Sequence, residues 1–216
     1  YNLLVIHWAL GPMPPSHNGV HASFQIWGFV FLFIAGVAFH AVPRFLGTAL
    51  RHVRLARATL WLTLAGQVLL GWSRLGTLAP ATVEAMVAGA LCQIAAVALF
   101  AGVLGAVARR ARPRIELFHL FLGAGTLGWV AAALFLGAGA VSAILEWDAE
   151  AAASWNQAVY ASALFGGTLA WIQGMFLRTG PVFLGIDIDL RAPGRPRQVA
   201  AVAVWAALAF GQAGAL

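Results

Sequence analysis

Six histidines carry most of the chemistry open to this chain: His7, His17, His21, His40, His52 and His119. Neutral imidazole is the usual protein nitrogen for haem iron, copper and zinc, and it exchanges its proton near neutral pH. Other reactive types are sparse. Cys92 is the one cysteine and stands in an apolar run, so no disulfide can close within the chain. The sequence has no phosphate-binding glycine loop, dinucleotide fingerprint, paired-cysteine motif or HExxH.

Spacing sorts the histidines. His17 and His21 are four apart, so a continuous helix would put them on one face, although Pro14 and Pro15 leave its start open. His21 and His40 are nineteen apart. On one straight helix that is about 28 Å, too far for one metal, so two ligands there would mean two sites. A plainer role stands beside each. His52 in RHVR reads as a solvated loop residue, His7 as an interfacial anchor and His17 as a helix cap. His40 and His119 read as polar side chains reaching for the membrane surface. Met13 could add a thioether to His17 for copper, or is a loop methionine.

The elements that must hold these groups are membrane helices. The chain is 62% apolar and 9% charged, against about 45–50% and 25% in soluble domains. A water-soluble fold of this composition would expose apolar patches and aggregate. Lipid leaves helices or closed barrels as the structures that satisfy the backbone, and the long unbroken apolar runs choose helices. The runs cover about 21–42 (ending at Pro43), 58–78, 83–107, 117–145, 156–177 and 199–216. Residues 3–10 are apolar but short of a span and read as the tail of an earlier helix. The last run stops within a span, so both ends read as cut. The expected fold is all-α: a single polytopic bundle over residues 1–216, with six to seven helices.

Charge gives the orientation. All thirteen basic residues are arginine. Twelve fall in alternate connections: Arg44, Arg51, Arg54 and Arg57; Arg109, Arg110, Arg112 and Arg114; Arg178, Arg191, Arg195 and Arg197. Arg74 stands alone near the other side, with Glu84, Glu146, Asp148 and Glu150. Short arginine-rich loops stay in the cytoplasm, so the net charge of +6 reports topology and not a nucleic-acid partner. The expected location is a bacterial inner membrane, and the expected partners are lipid and other membrane subunits. A transporter is disfavoured, because no acidic residue lies mid-membrane.

An internal repeat runs through the chain. Residues 16–47 match residues 154–185 without a gap, at an offset of 138. The identical pairs include Asn18 with Asn156, Gly28 with Gly166, Gly36 with Gly174, Pro43 with Pro181 and Gly47 with Gly185. The two segments should run in the same direction, which makes the expected unit a parallel repeat of four helices, in halves of about 16–78 and 154–216. Gly36 and Gly174 are expected at close helix contacts. The histidines are not repeated: His17, His21 and His40 face Trp155, Val159 and Arg178 across the match.

The stretch HASFQIWGFVFLFIAGVAFHAVPRFLG, residues 21–47, resembles the NnrS family of bacterial membrane haem- and copper-containing proteins. His21, Gly28, Phe29, Ala35, Gly36, Ala41, Val42, Pro43 and Gly47 carry the likeness. RPRIELFHLFLG and GGTLAWIQGMFLR resemble it more loosely. The same first segment is similar to the first haem-ligand helix of haem-copper oxidases and nitric oxide reductases. Ser23 and Phe24 depart from the family, which has a histidine and a glutamate there, and the chain holds no His-His pair. The resemblance implies a haem-binding membrane protein tied to nitric oxide or respiratory redox chemistry. It implies cofactor ligands among His21, His17, His40 and His119, a b-type haem, and copper as the metal that His7, His17 and His21 could hold. The alternative is a non-catalytic scaffold or pigment-binding subunit of a larger complex.

Overall fold

The computed structural model describes residues 15–74, 82–113 and 115–185. They form five long helices. Helix α1 runs through Pro15–Ser23, a π-helical stretch Phe24–Phe31, and Leu32–Phe45. Helix α2 is Val53–Ser73, α3 is Thr82–Ala111 and α4 is Leu117–Glu146. A 3-10 turn, Ala149–Trp155, leads into α5, which runs through Asn156–Ala161, a second π-helical stretch Ser162–Thr168, and Leu169–Leu184. Gly19–Phe45, Thr82–Ala111 and Leu117–Glu146 are long and apolar enough to cross a membrane. The described residues therefore form an all-helical structure, with spans suited to lipid. Five helices are described, so the expected six to seven are not reached. The four-helix repeat is not seen either, because the expected last segment, 199–216, lies outside the described residues.

Two boundaries differ from the sequence reading for physical reasons. Pro15 occupies the first helical position, where its missing N–H costs nothing, so α1 begins before His21 and His17 lies on the same continuous stretch. Pro43 does not stop α1, which goes on to Phe45. The last turn is satisfied from beyond: Leu46 N–H donates to the Val42 carbonyl at 3.0 Å and Thr48 N–H to the Pro43 carbonyl at 2.9 Å.

Burial follows helical spacing. On α3 the buried positions include Met86, Gly89, Ala90, Gln93, Ala96, Val97 and Phe100, stepping by threes and fours. Outside, Trp61, Val68, Leu127 and Leu134 stand largely exposed, as a lipid-facing surface allows. The centre is aromatic. Trp27 and Phe31 of α1 meet Trp129 of α4 with ring centroids 5.3 and 4.9 Å away. Phe100 of α3 joins at 5.4 Å from Phe31 and 5.7 Å from Trp171 of α5.

Helices α1 and α5 run parallel. Their starts meet where the Tyr160 hydroxyl donates to the Gly19 carbonyl at 3.3 Å. Their ends meet where the Arg178 guanidinium lies over the Phe45 ring, 5.8 Å from its centroid. The two π stretches pack against each other. They open at Phe24 and Ser162, 138 positions apart, the offset of the sequence match. Gly47 and Gly185, at the same offset, end the two helices with φ of +59° and +63°, a left-handed conformation glycine adopts without strain.

Candidate functional site

The π stretch of α1 decides where its histidines point. Nineteen residues of α-helix, at 3.6 per turn, end about 100° round the axis from where they began. A π turn holds one extra residue and takes up that angle. His21 and His40 are accordingly both exposed, on one stripe with Gln25, Phe29, Phe33 and Gly36. Phe29 and Phe33 are each 65% exposed, and their rings stack at 6.3 Å. Nothing lies within 4 Å of where a Cβ on Gly36 would be. Among the described residues, then, Gly36 has no helix at the expected close contact. Gly174 has one, with Leu122 of α4 against it.

The remaining histidines fall elsewhere. His7 lies outside the described residues, and position 17 is one turn before His21 on α1. His52 is exposed at the start of α2. His119 sits in the first turn of α4, where it forms a capping box with Glu116. Its Nδ1 accepts the Glu116 N–H at 3.0 Å. An imidazole nitrogen that accepts carries no proton, so the proton of the neutral ring is on Nε2. Nε2 is buried and has no partner among the described residues. While the cap holds, His119 presents a donor there and no lone pair for a metal; the cap is a role that the sequence did not suggest for it.

Among the described residues no group of three or more His, Cys, Asp or Glu is placed to hold a metal ion. His7, one of the three histidines of the copper expectation, lies outside them. A haem iron asks less of the protein, since the macrocycle fills four positions and the chain supplies one or two.

Two clusters that the sequence reading did not reach hold the ends of the bundle. Arg74, at the end of α2, donates to Asn156 Oδ1 at 3.0 Å and to the Tyr160 hydroxyl at 3.4 Å. At the opposite end Arg178 lies over Phe118 as well as Phe45, 5.5 Å from the Phe118 centroid. Between these ends runs a polar seam. The Ser23 hydroxyl donates to Gln67 Oε1 at 3.2 Å, and Gln93 Nε2 to the Thr63 carbonyl at 3.1 Å. Both glutamines are almost fully buried. Such bonds tie membrane helices together, each contributing about 0.6 kcal/mol. Their signal in the sequence was a lone glutamine in each of two apolar runs.

No family model, curated protein or solved structure matches the chain. The reading of its function rests on the site itself.

Proposed function

We propose that this chain is the helical part of a membrane redox protein in which α1 offers His21 and His40 to haem-type groups, one near each face of the bilayer. The alignment of the two imidazoles on one exposed stripe carries the reading. An ionisable side chain on the outer surface of a membrane helix is costly unless it is partnered, and such residues are functional by default. The stripe fits a flat apolar ring system: Phe29 and Phe33 give it an aromatic wall, and Gly36 leaves room beside them. When bound, a haem iron supplies one-electron transfer. The chain's own part is to ligate through imidazole, to space the two sites along the helix, and to exclude water with the aromatic stripe. The likeness of residues 21–47 to the NnrS family agrees with this, and nitric oxide or respiratory redox chemistry is the process we assign to it. The setting we propose is a bacterial inner membrane with the arginine-rich loops in the cytoplasm, and a four-helix repeat begun by α1 and by α5.

One observation favours a second reading, a scaffold or pigment-binding subunit. Trp27, Phe31, Phe100 and Trp129 fill the centre of the bundle with its own side chains. An optical spectrum of the purified protein decides between the two. In the redox reading the wild type shows a Soret band, His21→Ala and His40→Ala each remove a share of it, and His52→Ala removes none. A wild type without haem hands the stripe to the scaffold reading.

A further inference from the structure

One guanidinium at the arginine-rich end of the bundle is held in place without an anion. Arg178 of α5 lies over the rings of Phe45 and Phe118, 5.8 and 5.5 Å from their centroids. Those rings come from the end of α1 and the start of α4, so three helices fix the position of one charge. Ring faces attract a cation without neutralising it. Among the described residues Arg178 makes no ion pair and no hydrogen bond, and it is exposed. Among those residues the one acid at this end is Glu116, and its carboxylate is engaged, accepting the His119 N–H as the cap of α4. Arg44, Arg109, Arg110 and Arg112 share the same end, all exposed. The described residues therefore make the local field strongly positive.

Depth separates Arg178 from the other arginines. Arg44, Arg109 and Arg110 stand in the last turns of α1 and α3, and Arg112 just past the end of α3. Arg178 comes six residues before Leu184, the last residue of α5, which is about 9 Å of helix. The turn beyond it is apolar and open: Val182, Phe183 and Leu184 are 80%, 85% and 62% exposed. Apolar side chains left open at the end of a membrane helix belong in lipid. Arg178 then lies where acyl chains meet headgroups, and a charge at that depth is costly unless it is partnered. We propose that Arg178 holds the phosphate of an anionic phospholipid, seated where the ends of α1, α4 and α5 meet. A guanidinium held by ring faces keeps its N–H groups for a ligand, and as a planar fork they match two phosphate oxygens. The exposed arginines around it draw anionic headgroups to the same end. The inference asks only that the helices span lipid, and it is independent of whether haem is bound.

The test uses the full-length protein, purified in detergent and stripped of lipid. The probes are dioleoylphosphatidylglycerol, dioleoylphosphatidylcholine and inorganic phosphate. In native mass spectrometry the protein should retain phosphatidylglycerol several-fold more than phosphatidylcholine. Phosphatidylglycerol should also raise the melting temperature, and inorganic phosphate should not. Arg178→Gln should remove most of the preference, Arg178→Lys should keep part of it, and Arg112→Gln should keep nearly all. Equal retention of the two lipids by the wild type overturns the proposal and leaves Arg178 to a protein carboxylate. That arm stands even where Arg178→Gln does not fold. Equal losses in Arg178→Gln and Arg112→Gln overturn it as well, since the attraction is then a diffuse field with no seat at Arg178. If inorganic phosphate stabilises the protein as much as phosphatidylglycerol does, the ligand is a free anion and the lipid proposal falls.

Discussion

Arg74 and Asn156 are 82 positions apart in the chain and are joined by a 3.0 Å hydrogen bond from Nη2 to Oδ1. The bond explains the single arginine on the acidic side of the molecule. Its other nitrogen reaches Tyr160, whose hydroxyl goes on to Gly19, so one guanidinium ties the end of α2 to the starts of α1 and α5. Arg74→Ala should cost about 1.5–3 kcal/mol, the range for a hydrogen bond to a charged group. Arg74→Lys should recover little, because an ammonium cannot fork to two partners in this geometry. Thermal unfolding in detergent measures both, and an Arg74→Ala protein as stable as wild type would sink the idea.

The contact between α4 and α5 is closest at Gly128, where the neighbour is backbone and cannot swing aside. Gly128→Ala should therefore destabilise the bundle by about 1–3 kcal/mol or more, as overpacking does. Gly102 on α3 has open space around it, and Gly102→Ala should leave stability unchanged or raise it slightly, since alanine favours helix. Comparing the two melting temperatures separates a packing requirement from a general intolerance of substitution.

Much of this fold could be read from composition and periodicity. The runs expected at 83–107 and 117–145 became α3 and α4, Thr82–Ala111 and Leu117–Glu146, because long apolar stretches with charged ends allow few alternatives. What could not be read was any departure from 3.6 residues per turn. The π stretches at Phe24 and Ser162 carry no compositional mark, yet they rotate everything beyond them. His21 and His40 share a face for that reason. Pro43 misled in a similar way: the rule that proline ends a helix ignores carbonyls satisfied from the following loop. The repeat was legible in Gly47 and Gly185, which need their left-handed φ. Gly36 and Gly174 match in sequence but not in surroundings: among the described residues, Gly174 has a neighbouring helix against it and Gly36 has none.

The proposed sidedness rests on charge asymmetry. Arg44, Arg109, Arg110 and Arg112 share one end of the helices with Arg178, while Glu146, Asp148 and Glu150 lie at the other. In intact cells a membrane-impermeant maleimide should label Asp148→Cys and spare His52→Cys, with Cys92→Ser as background. Labelling of position 52 with protection of position 148 would mean that the molecule sits the other way up, against the positive-inside rule.

His119 allows its two roles to be separated. As a cap, it needs an acceptor that reaches back to the Glu116 N–H, three residues earlier. Glutamine at that position of a capping box supplies one through its side-chain oxygen, whereas it is not a substitute for imidazole on iron. His119→Gln should therefore keep the stability of the wild type, and His119→Ala should lose about 0.5–2 kcal/mol, the usual cost of a lost cap. Spectra of the same two variants give the second readout. If His119 is a cap, any haem absorbance of the wild type survives in both, apart from what the alanine protein loses by unfolding. If instead the glutamine variant folds as well as wild type and yet loses haem, the Glu116 bond is secondary and His119 belongs among the ligands with His21 and His40.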